Sequence, residues 1–71
     1  MSDATTVRIP SSGMIHMPGM VRNYRYAISV KDEGFTKMFE AMLENAPLWV
    51  FKKIRDGEYT VDSEDAIVVT K

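Results

Sequence analysis

The 71 residues contain no cysteine. That excludes a disulfide framework and a thiolate metal site, and it favours a reducing compartment. The single histidine, His16, leaves little material for imidazole chemistry. No run approaches the roughly 20 apolar residues of a membrane span. The opening "MSDATTVRIP" has no basic region followed by an apolar core, so a secretory signal is not expected. A soluble cytoplasmic protein is the expectation. There is also no surplus of positive charge: nine Lys and Arg stand against ten Asp and Glu. Nonspecific nucleic-acid binding neutralises phosphates, so any such role would need a local patch.

What the chain does have is segregated charge. Arg8, Arg22, Arg25 and Lys31 dominate the first part, and Asp32, Glu33, Glu40 and Glu44 the next. Lys52, Lys53 and Arg55 form a basic cluster, followed by an acidic end with Asp56, Glu58, Asp62, Glu64 and Asp65. The apolar fraction of 45% suits a folded chain rather than a disordered one. A chain this short makes a single small domain that buries only about 60% of its unfolded surface.

"TTVRIP" reads as a strand that Pro10 ends or confines to an edge. Gly13, Pro18 and Gly19 make 10–20 a long loop, and 1–20 as a whole an N-terminal segment expected to be mobile. "VRNYRYAISV" places Tyr24, Tyr26, Ile28 and Val30 on alternate positions, which predicts a strand over 21–30. "GFTKMFEAMLEN" brings Phe35, Met38, Phe39, Met42, Leu43 and Ala46 to one stripe at helical spacing, predicting a helix over about 34–45. Asp32 or Thr36 supplies its start, and Asn45 with Pro47 its end.

"NAPLWVFKKIRDGEY" admits two readings. As a helix it starts at Asn45 and Pro47, carries Lys52, Lys53 and Arg55 in its last turn, and stops at Gly57. As a strand it is rich in aromatic and β-branched residues and enters an Asp56-Gly57 hairpin loop, with Arg55 opposite Glu58. The strand signals that follow favour the second. The expected fold is therefore α+β, with one amphipathic helix on a small, mostly antiparallel sheet. That sheet would hold 21–30, 48–55, 58–62 and 66–70, with 5–9 as a possible edge and "SED" turning the chain before the last strand.

In the helical reading, residues 37–57 resemble the helix-turn-helix of small phage-type repressors. Ala41 matches the small residue of the first helix, Asn45 the turn residue and Ala46 the apolar residue after it. Phe51 and Ile54 match the two anchors of the recognition helix, and Gly57 the glycine beyond it. The resemblance implies that 47–55 enters a major groove, with Lys52, Lys53 or Arg55 on bases or phosphates.

No catalytic constellation is present. Ser11-Ser12-Gly13 lacks the frame of a nucleophile elbow, and there is no phosphate-cradling glycine loop. Neither enzyme activity nor a cofactor is expected. Met14, His16, Met17 and Met20 mix soft and borderline ligands, but methionines in a small domain are more simply core filler, so no metal site is expected. "DSED" lacks the spacing of a calcium loop and reads as an acidic turn.

The remaining signal is aromatic and basic residues interleaved: Arg22 and Arg25 beside Tyr24 and Tyr26 in one segment, Trp49 and Phe51 beside Lys52, Lys53 and Arg55 in the other. Of these, Arg22, Tyr24, Arg25, Trp49, Lys52, Lys53 and Arg55 are the seven candidate binding residues. These types are enriched in protein–protein hot spots. The expected function is a non-enzymatic regulatory module that docks stoichiometrically on a larger protein. An inhibitor or adaptor of a machine such as the transcription apparatus fits that description. A helix-turn-helix DNA-binding regulator is the alternative. A homo-oligomer pairing through an exposed strand edge is a third possibility.

Overall fold

A computed structural model describes residues 5–11, 16–44 and 46–71. Within them the order is β1 (Thr6–Ile9), α1 (Met17–Ser29), α2 (Glu33–Met42), α3 (Leu48–Arg55), β2 (Thr60–Val61) and β3 (Ile67–Thr70). The class is α+β as expected, with a three-stranded antiparallel sheet in the order β1-β3-β2. The helical content exceeds the expectation: two segments read as strands are helices.

Residues 21–30 belong to α1. Val21, Tyr24 and Ala27 are buried at steps of three, and Met17 lies one turn before Val21. The alternation of Tyr24, Tyr26, Ile28 and Val30 coincided with this helical set only at Tyr24 and Ile28; Tyr26 and Val30 are exposed. The expected loop over 10–20 is also corrected, because helix begins at Met17. Pro18 falls in the first turn, where its missing N–H leaves no hydrogen bond unmade. His16 caps this helix by accepting from the Gly19 N–H through Nδ1 at 3.3 Å.

α2 starts at Asp32, whose Oδ1 accepts from the Phe35 N–H at 3.1 Å. Its stripe is rotated slightly from the expected one. Phe39 is fully buried and Phe35 and Leu43 pack on the core, but Met38 and Met42 are exposed.

Residues 48–55 form a helix, not a strand. Val50, Phe51 and Ile54 are buried together, whereas a strand with one face on the core would turn Val50 and Phe51 to opposite sides. Packing overrides the local preference of Trp49, Val50 and Phe51 for strands. Asp56-Gly57 is accordingly a helix end rather than a hairpin loop. Gly57 has φ +78°, its N–H donates to the Ile54 carbonyl at 3.0 Å, and the Glu58 N–H donates to the Lys53 carbonyl at 2.8 Å. This is the Schellman pattern. Pro47 occupies the start of α3; Asn45, expected to end one helix and cap the next, lies outside the described residues.

The three strands match the remaining expectations, with β2 shorter than 58–62. The acidic turn forms between β2 and β3, where Asp62 Oδ1 accepts from the Glu64 and Ala66 N–H groups at 2.8 and 3.0 Å. The core gathers Val21, Tyr24, Phe39, Val50, Ile54 and Ile67 between the helices and the sheet. The Tyr24 and Phe39 rings stack with centroids 4.4 Å apart.

Candidate functional site

Tyr24 was expected at a binding surface. It is fully buried, with the Arg55 guanidinium carbon 6.0 Å from its ring centroid and its hydroxyl bonded to polar partners. That hydroxyl donates to Glu40 Oε2 at 2.6 Å and accepts from Arg55 Nε at 3.1 Å. Arg55 Nη2 donates to the same Glu40 oxygen at 2.7 Å. One residue from each helix thus meets in a polar clamp over the aromatic stack. Arg55, expected opposite Glu58, is instead held here as a structural residue.

The clamp shifts its members in opposite directions. Burial, reinforced by donation to Glu40, pushes the Tyr24 hydroxyl up to about 12. The hydrogen bond from Tyr24, with that of Arg55, holds the Glu40 carboxyl below its ordinary 4.5. A raised phenol pKa means that the fold favours the neutral form. Its contribution is therefore intact below the ordinary value of 10.0 and is lost as pH climbs towards 12. A depressed carboxyl contributes above its ordinary value and loses that contribution as pH falls past it. Urea unfolding followed by Trp49 fluorescence across pH is expected to show both limbs. In Tyr24→Phe the alkaline loss should shrink, with about 1 kcal/mol lost at neutral pH from the missing hydroxyl. An alkaline limb identical in the two proteins would refute the assignment.

Lys53 bonds Glu58 Oε1 at 3.1 Å, brought within reach by the tight end of α3. Trp49 is half-buried and packs against the core. Lys52 is exposed and makes no ion pair among the described residues. Arg22 and Arg25 are exposed on α1. Arg25 reaches the end of α3: a Cβ added at Gly57 would stand 3.2 Å from its Nη2. A cation there suits the partial negative charge of the helix C-terminus. The seven expected binding residues therefore divide. Tyr24 is buried, Arg55 is exposed but held by Glu40 and the Tyr24 hydroxyl, Lys53 and Trp49 are partly engaged, and Arg22, Arg25 and Lys52 are available.

Two exposed apolar residues lie outside those seven. Leu48 is 86% exposed at the start of α3, and Tyr26 is 68% exposed on α1 one turn from Arg22. Both follow from helical phase. With Val50, Phe51 and Ile54 inward, Leu48 and Lys52 share the outer side four residues apart. Ala41, the small residue of the repressor resemblance, is exposed, whereas Phe51 and Ile54 are buried. The turn between β2 and β3 holds Asp62, Glu64 and Asp65; Arg8 offsets the first two, at 2.7 and 2.6 Å.

Of the candidate metal ligands, Met14 lies outside the described residues, Met17 is core, Met20 packs against the core, and His16 uses Nδ1 as a cap. Among the described residues no three His, Cys, Asp or Glu side chains gather as a metal site. No helix among them is long and apolar enough to cross a membrane. Compared with known proteins, the chain matches no family model, no curated protein and no solved structure at a significant level.

Proposed function

We propose that the protein is a small non-enzymatic docking module that acts stoichiometrically on a larger protein in the cytoplasm, as an inhibitor or adaptor of a machine such as the transcription apparatus. The observation that carries this reading is the outer face of α3. Leu48 stands almost fully in water one turn from Lys52, while Arg55 is clamped to Glu40 and Lys53 is paired with Glu58. Burying a leucine against a partner is worth about 1.5–3 kcal/mol. An apolar anchor beside one cation suits an apolar pocket rimmed by carboxylates. Tyr26, Arg22 and Arg25 add hot-spot residue types on α1.

A photo-crosslinking side chain at position 48 tests the reading in cell extract. A single saturable adduct is expected, competed by unlabelled wild type but not by Leu48→Asp. Labelling no different from a probe at Thr60 would overturn it.

The DNA-binding alternative is supported by the helical state of 48–55, which follows α2 across a short turn and precedes a β-hairpin. Against it stands the charge: the clamp withdraws Arg55, and the hairpin turn is acidic. Titration with random duplex at low salt separates the two. A salt-sensitive shift abolished by Lys52→Glu would put DNA first, and no binding even at low salt would remove it.

A further inference from the structure

Among the described residues the sheet has an open edge: β1 lies outermost and pairs with β3 alone, in a register of Thr6 with Thr70, Val7 with Val69, Arg8 with Val68 and Ile9 with Ile67. The Lys71 N–H donates to the Thr5 carbonyl at 2.9 Å, which sets the phase of the ladder. Residues 5, 7 and 9 exchange bonds with β3, so Thr6 and Arg8 turn their N–H and C=O groups to the free side. Natural edges are commonly guarded by a projecting cation. Arg8 does not guard this one: its side chain is drawn back onto Asp62 and Glu64 of the hairpin turn.

Alongside the edge runs a groove of about 420 Å³. Val7, Ile9, Met42 and Leu43 give it apolar walls, and Arg8 and Glu44 also line it. Met42 is among the exposed large apolar residues.

We propose that a second copy of this chain occupies the edge, the two β1 strands pairing antiparallel about a two-fold axis at Val7 to make a continuous six-stranded sheet. The sequence of the strand is complementary to itself in this register. Thr6 of each copy faces Arg8 of the other, and these two pairs exchange four backbone hydrogen bonds. No arginine lies directly opposite an arginine. The two Arg8 residues stand diagonally, and each is already neutralised by its own Asp62 and Glu64. Val7 opposes Val7 in the closer, non-hydrogen-bonded spacing of about 4.5 Å. On that face it lies towards the apolar groove of the neighbouring copy. Pro10 has no N–H to extend the ladder, so slipped registers gain nothing beyond residue 9. This inference does not depend on the docking face of α3, which lies on a different element.

Proline at position 6 tests the pairing. Thr6 does not donate to β3, so Thr6→Pro removes an outward N–H without deleting a backbone bond of the existing ladder. Sedimentation of the full chain over a range of concentrations is expected to show a monomer–dimer equilibrium in the wild type. In Thr6→Pro the dissociation constant should rise roughly tenfold or more, about 1.4 kcal/mol or more, with the circular dichroism unchanged. Amide exchange of the wild type supplies a readout that needs no variant: protection at Thr6 and Arg8 should grow with concentration, while Val7 and Ile9 stay protected throughout. A monomer at every concentration overturns the proposal. So does a folded Thr6→Pro that dimerises as tightly as the wild type, or exchange at Thr6 and Arg8 independent of concentration.

Discussion

Replacing Phe39 by alanine is expected to abolish cooperative folding. Phe39 is fully buried on α2, and its ring stacks on Tyr24 with centroids 4.4 Å apart. Truncating a buried phenylalanine costs about 3–5 kcal/mol through lost transfer energy and the cavity left behind. The lost aromatic pair adds about 0.5–1.5 kcal/mol. A chain of this size holds only about 4–10 kcal/mol in total, and small cores commonly sit near the lower end. The cavity would open directly beneath the clamp, so Tyr24 would lose the support that aims its hydroxyl at Glu40. Thermal and urea melts by circular dichroism should show a broad slope in place of a transition. Met38→Ala on the same helix is the control: Met38 is exposed, and its truncation should change stability by no more than about 0.5 kcal/mol. Equal effects at the two positions would mean that α2 is turned differently on the core.

That contrast also shows what the sequence could convey. The stripe of Phe35, Phe39 and Leu43 at spacing of four, opened by Asp32, specified α2 because period and cap agree. "AIVVTK" specified β3, and Pro10 marked the end of β1. α1 was hidden because Tyr24 and Ile28 belong equally to a period of two and a period of about four, and because Pro18 reads as a breaker unless the helix is known to start one residue earlier. α3 was hidden by composition: Trp49, Val50 and Phe51 prefer strands, and only the joint burial of Val50, Phe51 and Ile54 decides otherwise. The site inherits these uncertainties. The exposure of Leu48 is invisible until the phase of α3 is fixed. The clamp joins residues 24, 40 and 55 from three helices, so no local pattern can announce it. The pairing of Lys53 with Glu58 depends on the turn at Gly57.

Gly57→Val is expected to cost about 2 kcal/mol, and the cause is backbone rather than space. Gly57 holds φ +78°, a region in which an L residue loses about 1–2 kcal/mol and a β-branched one is worst placed. The nearest obstacle to a new Cβ is Arg25 Nη2 at 3.2 Å, the far end of a flexible side chain that can withdraw. The protein already contains a comparison. α1 ends in the same way, with the Lys31 N–H donating to the Ile28 carbonyl and the Asp32 N–H to the Ala27 carbonyl, and there a lysine holds φ +60°. An unbranched residue can therefore take the position at a bearable cost. Losses in urea melts should consequently rank Asn below Ala and Ala below Val at position 57, because asparagine tolerates the left-handed conformation. Arg25→Ala should restore no more than a few tenths of a kcal/mol to Gly57→Val. Full rescue would show that crowding, not φ, governs the site. Loosening this turn also releases the Lys53 carbonyl from the Glu58 N–H and frees the last turn of α3, which carries Arg55 into the clamp. The same variant should thus weaken the alkaline stability limb of Tyr24, linking the end of one helix to the packing of all three.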